Sequence, residues 1–321
     1  MRASVILGSI LCCSVAGGAV GQEYPQKPIR LIIPFAPGGS NDIIGRLLAT
    51  RLTETLGQQV IPDNRAGAGG SIGAEVAAKS PPDGYTLVIG HIGTLAVNPT
   101  LYRRLAYNPT TDFAPISTIA KVANIMVVHP SLPAKSVSEL LALVRKQPGA
   151  LAYGSGGTGG AGHLATEYFK LMAKVDMVHV PYKGTGPALV DLIAGQTQVV
   201  FAGVPGIVGH VKSGRLRPLG VSTARRLSVF PDLPTIAEAG VPNYEATQWY
   251  GVLAPAGTPA PIVDKLNREI ANWVQTKQLQ ERLVADGSEP FTTRPDEFMA
   301  FIKSEIARWA PVIKSANIVV N

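Results

Sequence analysis

After residue 21 the chain contains no cysteine; Cys12 and Cys13 both fall in an N-terminal apolar stretch. A disulfide framework and a thiolate metal site are thereby excluded, and the fold has to rest on buried apolar surface. The histidines His91, His129, His163, His179 and His210 never recur at three- or four-residue spacing, so neither a metal nor any other cofactor is expected. Charge is sparse at 16% of residues, and aromatic residues are sparser at 6%. The net charge of +7 is dispersed: Arg103-Arg104 and Arg225-Arg226 are the densest pairs, and neither is interleaved with aromatics. That pattern excludes a nucleic-acid platform and leaves a weak attraction for small anions. No apolar run after residue 21 is long enough to cross a bilayer.

The first run reads as a signal peptide over residues 1–21. Arg2 supplies the charged start, Val5–Val15 an apolar stretch too short to span, and Ala19-Val20-Gly21 a small-residue cleavage site before Gln22. Ile10-Leu11 before the cysteines argue against a lipid anchor. The remainder is long enough to bury two cores.

Glycine and proline, in contrast, are plentiful, with 34 and 26 residues. Two glycine-rich loops stand out, each between an apolar run and an amphipathic helix. The first is Pro37-Gly38-Gly39-Ser40-Asn41-Asp42, between Ile29–Pro34 and Ile43–Leu56. The second is Gly154-Ser155-Gly156-Gly157-Thr158-Gly159-Gly160, between Leu151–Tyr153 and His163–Lys174. Such junctions turn free backbone N–H groups and the positive end of a helix dipole outward, which favours an anion without any basic side chain. Two of them, far apart in the chain, predict two lobes gripping one acidic ligand, and hence a binder with no catalytic residues.

Apolar runs at Ile29–Pro34, Tyr85–Ile89, Ile125–His129, Asp176–Pro181, Thr197–Ala202, Arg217–Ser222 and Gly251–Ala254 read as buried parallel strands. Helical spacing joins Val137, Leu140, Leu141 and Val144, then Ile262, Leu266, Ile270 and Trp273, then Phe298, Ile302, Ile306, Trp309 and Ile313. The alternation predicts an α/β chain with doubly wound sheets. Ala120–Ile125 and Tyr244–Tyr250 read as extended connectors between lobes. The expected division is therefore 22–123 plus 247–321 for one domain and 124–246 for the other.

Two motifs match catalytic or cofactor patterns only formally. The second loop fits the dinucleotide fingerprint G-x-G-x-x-G, but the acid at about the right distance, Asp176, opens the next strand instead of closing it. Gly69-Gly70-Ser71-Ile72-Gly73 fits the nucleophile elbow G-x-S-x-G, which requires a strand running straight into the serine. A loop precedes Ser71, which reads as a helix N-cap; an exported serine hydrolase using Ser71 is the alternative reading. His163, in the first turn after the second loop, could reach a carboxylate with a ring N–H or cap the helix. Asp42 suits the first turn of its helix and would hold the loop rigid. Lys183 is a secondary candidate for a direct charge.

In order along the chain stand Tyr24-Pro25 with Lys27-Pro28-Ile29-Arg30, Pro34-Phe35-Ala36-Pro37-Gly38-Gly39 with Asp42, Asp63-Asn64-Arg65-Ala66-Gly67-Ala68-Gly69-Gly70, and Pro82-Asp83-Gly84-Tyr85-Thr86-Leu87. Asn98-Pro99 with Leu101-Tyr102, the second glycine loop, Val180-Pro181-Tyr182-Lys183-Gly184, and Pro231-Asp232-Leu233-Pro234-Thr235 with Glu238, Gly240 and Pro242 follow. In this series the chain resembles the periplasmic solute receptors of tripartite tricarboxylate transporters, the Bug family. The resemblance implies a two-domain periplasmic-binding-protein fold, a type II-like Venus flytrap, that closes on a small carboxylate in the periplasm. It also implies delivery to a membrane permease, and action as a monomer is expected. Carried over, the ligand-binding residues are Phe35, Ala36, Gly38, Gly39 and Asp42 from the first loop, and Ser155, Gly157, Thr158 and His163 from the second. Thr94, Asn98 and Tyr182 are implied as wall residues. Many relatives have an acid after the Phe that corresponds to Phe201; this chain has Ala202, which weakens the case for an ammonium-bearing ligand.

Overall fold

The computed structural model describes residues 23–316, so the signal-peptide segment lies outside the described residues. The chain alternates strands and helices: β1 (Ile29–Ile33), α1 (Ser40–Leu56), β2 (Val60–Asn64), α2 (Ser71–Ala78), β3 (Thr86–His91), α3 (Asn98–Leu101) and β4 (Phe113–Val122). It continues with β5 (Asn124–Val128), α4 (Val137–Lys146), β6 (Ala152–Ser155), α5 (Ala161–Ala173), β7 (Val178–Pro181), α6 (Thr185–Ile193), β8 (Val199–Gly203), α7 (Val204–Lys212) and β9 (Arg217–Val221). It ends with β10 (Gln248–Pro255), α8 (Ala260–Val274), α9 (Lys277–Ala285), β11 (Ser288–Pro290) and α10 (Pro295–Ser315).

These strands form two mixed sheets, ordered β11-β4-β10-β3-β1-β2 and β7-β6-β8-β5-β9. The chain leaves the first sheet at Val122, enters the second at Asn124 and returns at Gln248. The expectation of parallel strands throughout needs correction. β5 runs antiparallel to both β8 and β9, and β10 antiparallel to both β3 and β4. Each is the strand that enters a sheet directly from the other sheet, without the helical crossover that parallel neighbours require. β4 and β11 also join the first sheet, although the sequence reading placed no strand over Phe113–Ile119 or at Ser288–Pro290.

The runs that read as strands do so because both faces of each sheet are covered. In β1, Ile29, Leu31 and Ile33 pack with Ile44, Leu48 and Leu52 of α1 and Leu266 and Ile270 of α8. Ile32 points the other way, into the cluster holding Ala74 and Ala77 of α2 and Trp309 of α10. β5 divides likewise, with Met126 and Val128 on one face and Ile125 and Val127 on the other. Truncating such a side chain, for example Leu48→Ala, costs about 2–5 kcal/mol.

Candidate functional site

Among the described residues five α-helices start on a glycine N-cap that no side chain closes, and four of them concern the site: Gly39 for α1, Gly160 for α5, Gly184 for α6 and Gly203 for α7. They follow the carboxyl ends of β1, β6, β7 and β8, and their first residues converge on one small enclosed cavity between the sheets. Ser40 and Asn41 come from α1, Gly160, Ala161 and Gly162 from α5, Thr185 from α6 and Gly203 from α7. At α4 and α9 hydroxyls do the capping instead: Ser136 accepts from Glu139 N, and Thr276 from Leu279 N. At α1 the Asp42 and Ile43 amides return to Gly39 O at 3.0 and 3.1 Å, leaving those of Ser40 and Asn41 for the cavity. At α7 the first amide is already taken, since Val204 N donates to Ala123 O at 3.2 Å.

Among the described residues, no Lys, Arg, Asp or Glu lines this cavity. Each helix N-terminus carries about half a positive charge, so the convergence attracts an anion with neutral groups alone. Asn41 is 8% exposed, and its Oδ1 is buried without a partner. Along one wall the tilted rings of Phe35 and His91 meet at 4.6 Å, and His91 lies near Tyr250 at 6.1 Å between ring centres. Thr94 N donates to His91 Nδ1 at 3.2 Å, which leaves the N–H on Nε2. Burial pushes the His91 pKa down to about 3, so the ring is neutral. Across the floor, Tyr250 OH donates to Gln248 Oε1 at 2.6 Å, Gln248 Nε2 to Asn124 Oδ1 at 2.6 Å, and Asn124 Nδ2 to Ala246 O at 2.8 Å.

Of the residues expected at the site, Phe35 lines the cavity and Gly39 heads α1 at its edge, beside Thr185. Gly38 lies at φ +90° and donates its N–H to Asp42 Oδ2 at 3.1 Å. Asp42 also accepts from Arg46 Nε at 2.9 Å and Asn64 Nδ2 at 3.0 Å. Burial opposes its charge, but these donors outweigh burial and hold the carboxyl below its usual range. The Asp42 oxygens are thus engaged in bracing the first loop. Ser155 Oγ lies 2.6 Å from His179 Nε2 and accepts from Gly157 N at 3.2 Å, while His163 Nδ1 accepts from Gly159 N at 3.2 Å. Both side chains brace the second loop from behind. Burial, helped by Lys170, lowers His163 to about 4; burial, helped by His163 and Lys170 and opposed by Glu167, lowers His179 to about 3.

Ala36, Thr158, Asn98 and Gly157 sit where the lobes meet. Ala36 N donates to Lys183 O at 3.0 Å, and Tyr102 OH to Thr158 O at 3.3 Å. Asn98 Nδ2 donates to Gly69 O at 3.2 Å, and its partnerless Oδ1 faces Gly159. A Cβ on Gly69 would strike Thr158 O, one on Gly157 would lie 3.4 Å from Gly69 N, and one on Gly184 would lie 2.8 Å from Ala36 N. Thr94 is buried behind this seam with its hydroxyl on His91 O at 3.1 Å. Tyr182 gives its hydroxyl to Asp191 Oδ2 at 2.6 Å and, like the exposed Lys183, lies outside the cavity lining. Ser71 corrects one expectation: Gly70 is the N-cap and Ser71 the first helical residue of α2, behind a short turn at Ala68–Gly70 and not at a strand end. Its hydroxyl meets Asn98 at 2.9 Å and the Tyr102 and Tyr107 phenols, so a nucleophile elbow is not formed.

Residues 44–318 match the model of the tripartite tricarboxylate transporter family receptor. The chain belongs to this family. Protein BugT of Bordetella pertussis is 39% identical over 309 residues, covering 96% of this chain and 95% of that protein. The solved structure of R. palustris Rpa4515 with adipate superposes with a TM-score of 0.90 at 42% identity, over 92% of this chain and 99% of that one. MatC (Rpa3494) from Rhodopseudomonas palustris with bound malate gives 0.86 at 32%, over 90% and 100%. The receptor is accordingly a solute-binding protein with the two-lobed fold of its relatives, and not an enzyme; the hydrolase alternative at Ser71 has no support.

Sequence reasoning on this receptor placed Ser40 and Asn41 in the first loop without naming them as ligand contacts, and missed Asn124, Thr185, Gln248 and Tyr250; all six line the cavity. For two of them a signal was present. Asn124 and Gln248 are polar residues opening otherwise apolar strands.

Proposed function

We propose that the protein is a periplasmic receptor that captures a small organic carboxylate between its lobes and delivers it to the membrane permease of a tripartite tricarboxylate-type transporter. Residues 1–21 direct export, residues 22–123 with 247–321 form one lobe, and residues 124–246 form the other. The receptor works as a monomer. One observation carries the reading: glycine-capped helix ends from both lobes meet in a cavity that, among the described residues, holds no charged side chain. Adipate and malate in the solved relatives support the same chemistry. With Ala202 in the lining and no acid there, a ligand ammonium finds no counter-charge.

The ligand touches Phe35, Gly39, Ser40, Asn41, Ala161 and Thr185. Gly38 and Asp42 shape the first loop, Ser155 and His163 the second. Ala36, Thr94, Asn98, Gly157, Thr158 and Tyr182 support the closed seam around it. A thermal-shift panel of acetate, malate, adipate, benzoate and citrate tests the reading. An acid at a hundred times its Kd adds about 2.7 kcal/mol of stability, which for a chain of this size is a rise of about 5 °C. A flat response to all five acids would refute it.

A further inference from the structure

We propose that Gln248 is a ligand-contacting residue, which presents a side-chain N–H to the bound acid, and that Asn124 and Tyr250 are positioning residues that lock its amide in that orientation. The inference rests on the carboxylate reading above. It begins at a group whose role cannot reverse. Ala246 O can only accept, so the Asn124 atom 2.8 Å away is the amide nitrogen, and Asn124 Oδ1 must face Gln248. An acceptor 2.6 Å away requires the nitrogen of Gln248 on that side. Turning the Gln248 amide over would set two carbonyl oxygens against each other. Gln248 Oε1 is thereby directed to Tyr250, whose hydroxyl donates to it at 2.6 Å.

This chain uses one of the two protons on Gln248 Nε2. The nitrogen lies where a Cβ on Gly203 would come within 2.6 Å of it, so it abuts the backbone at the start of α7, on the cavity. The Ser40 hydroxyl crowds the same point from α1. The second proton of Gln248 therefore stands beside the Ser40 hydroxyl, itself hydrogen-bonded to Tyr250, while the amide oxygen is turned to Tyr250. All three residues of the chain are nearly inaccessible: Asn124 at 1%, Gln248 at 4% and Tyr250 at 1%. A polar chain so buried keeps its orientation because an unmatched partner has no water to replace it. Asn124 opens β5 and Gln248 opens β10, at the two places where the chain passes between sheets. The donor is thus held against both lobes at once.

The test uses the full mature protein and the five acids of the panel, with adipamide as the neutral counterpart of adipate. Gln248→Met keeps the length of the side chain and removes the donor. Tyr250→Phe keeps the ring and removes only the hydroxyl that fixes the amide. Calorimetric titration is expected to show at least a tenfold loss of acid affinity in Gln248→Met. Tyr250→Phe is expected to lose threefold to tenfold for the acid, with a reduced preference for adipate over adipamide, a ratio that a merely structural role would leave unchanged. A Gln248→Met protein that melts cooperatively and binds the acids within twofold of wild type overturns the assignment. Should that variant fail to fold, Tyr250→Phe decides, and unchanged acid affinity with an unchanged acid-to-amide ratio overturns it equally. Binding of none of the acids by the wild type would instead refute the carboxylate reading, and this assignment falls with it.

Discussion

Gly39→Asp places a tethered carboxylate where the solute is expected to bind. Gly39 has φ −91° and ψ 172°, an extended geometry that any N-cap residue adopts, so the backbone tolerates the change. An aspartate there would accept from the free amides at the start of α1, and N-capping by Asp matches or exceeds Gly by a few tenths of a kcal/mol. The melting temperature without ligand should therefore stay level or rise slightly. The solute carboxylate would meet a fixed negative charge about 4 Å away, which at an effective dielectric of about 20 is worth about 4 kcal/mol. That corresponds to a loss of affinity of about a thousandfold. Gly39→Asn is the control, because it has the same size, caps equally well and has no charge. Its added atoms meet Thr185 Cβ, 3.2 Å from the position of a Cβ, so a smaller loss of about tenfold is expected from crowding alone. Isothermal titration with the best acid of the panel measures both. Equal losses in the two variants would show that space and not charge governs the site, and wild-type affinity in the Asp variant would place the acid away from α1.

Three further outcomes follow from the geometry. Gly69→Ala must hold a side chain at φ +60° and drive its methyl into Thr158 O on closure; small-angle scattering should show no ligand-induced compaction, with affinity down at least tenfold. Tyr102→Phe removes one hydrogen bond between the lobes, worth about 1 kcal/mol, and should weaken acid binding about fivefold, mostly through faster release in stopped-flow traces. His91 has a folded-state pKa of about 3 against 6.5 when unfolded, so its contribution is complete above pH 6.5 and is lost as pH falls and the unfolded chain takes up the proton. At pH 5 this costs about 2 kcal/mol, so His91→Phe should flatten the fall in melting temperature between pH 7 and 5; an unchanged slope would contradict the burial of a neutral ring.

The helices and most of the buried strands were legible because their apolar spacing is set by packing on one face or on both. Ile262, Leu266, Ile270 and Trp273 announced α8, and Val199–Ala202 announced β8. Strand direction was not legible. Asn124–Val128 looks the same whether its neighbours run with it or against it, and only the direct passage from β4 decides. β4 escaped notice because Phe113–Val122 mixes Pro115, Ser117 and Thr118 into its apolar residues. At the site the glycine loops were visible as composition, but the partners that complete the cavity were not. Thr185 and Gln248 arrive from elements more than sixty residues apart, and their juxtaposition belongs to tertiary structure.

The seam of glycines has a consequence for how the jaws can evolve. Where Gly69, Gly157, Gly184 and Gly186 meet the opposite lobe, main chain rests on main chain. Freezing a long side chain on closure would cost up to about 2 kcal/mol each, whereas a glycine has none to freeze. Shutting is thus cheap in entropy and blind to side-chain identity. A lineage could re-line the pocket for a new solute, residue by residue, while the bite itself stayed the same.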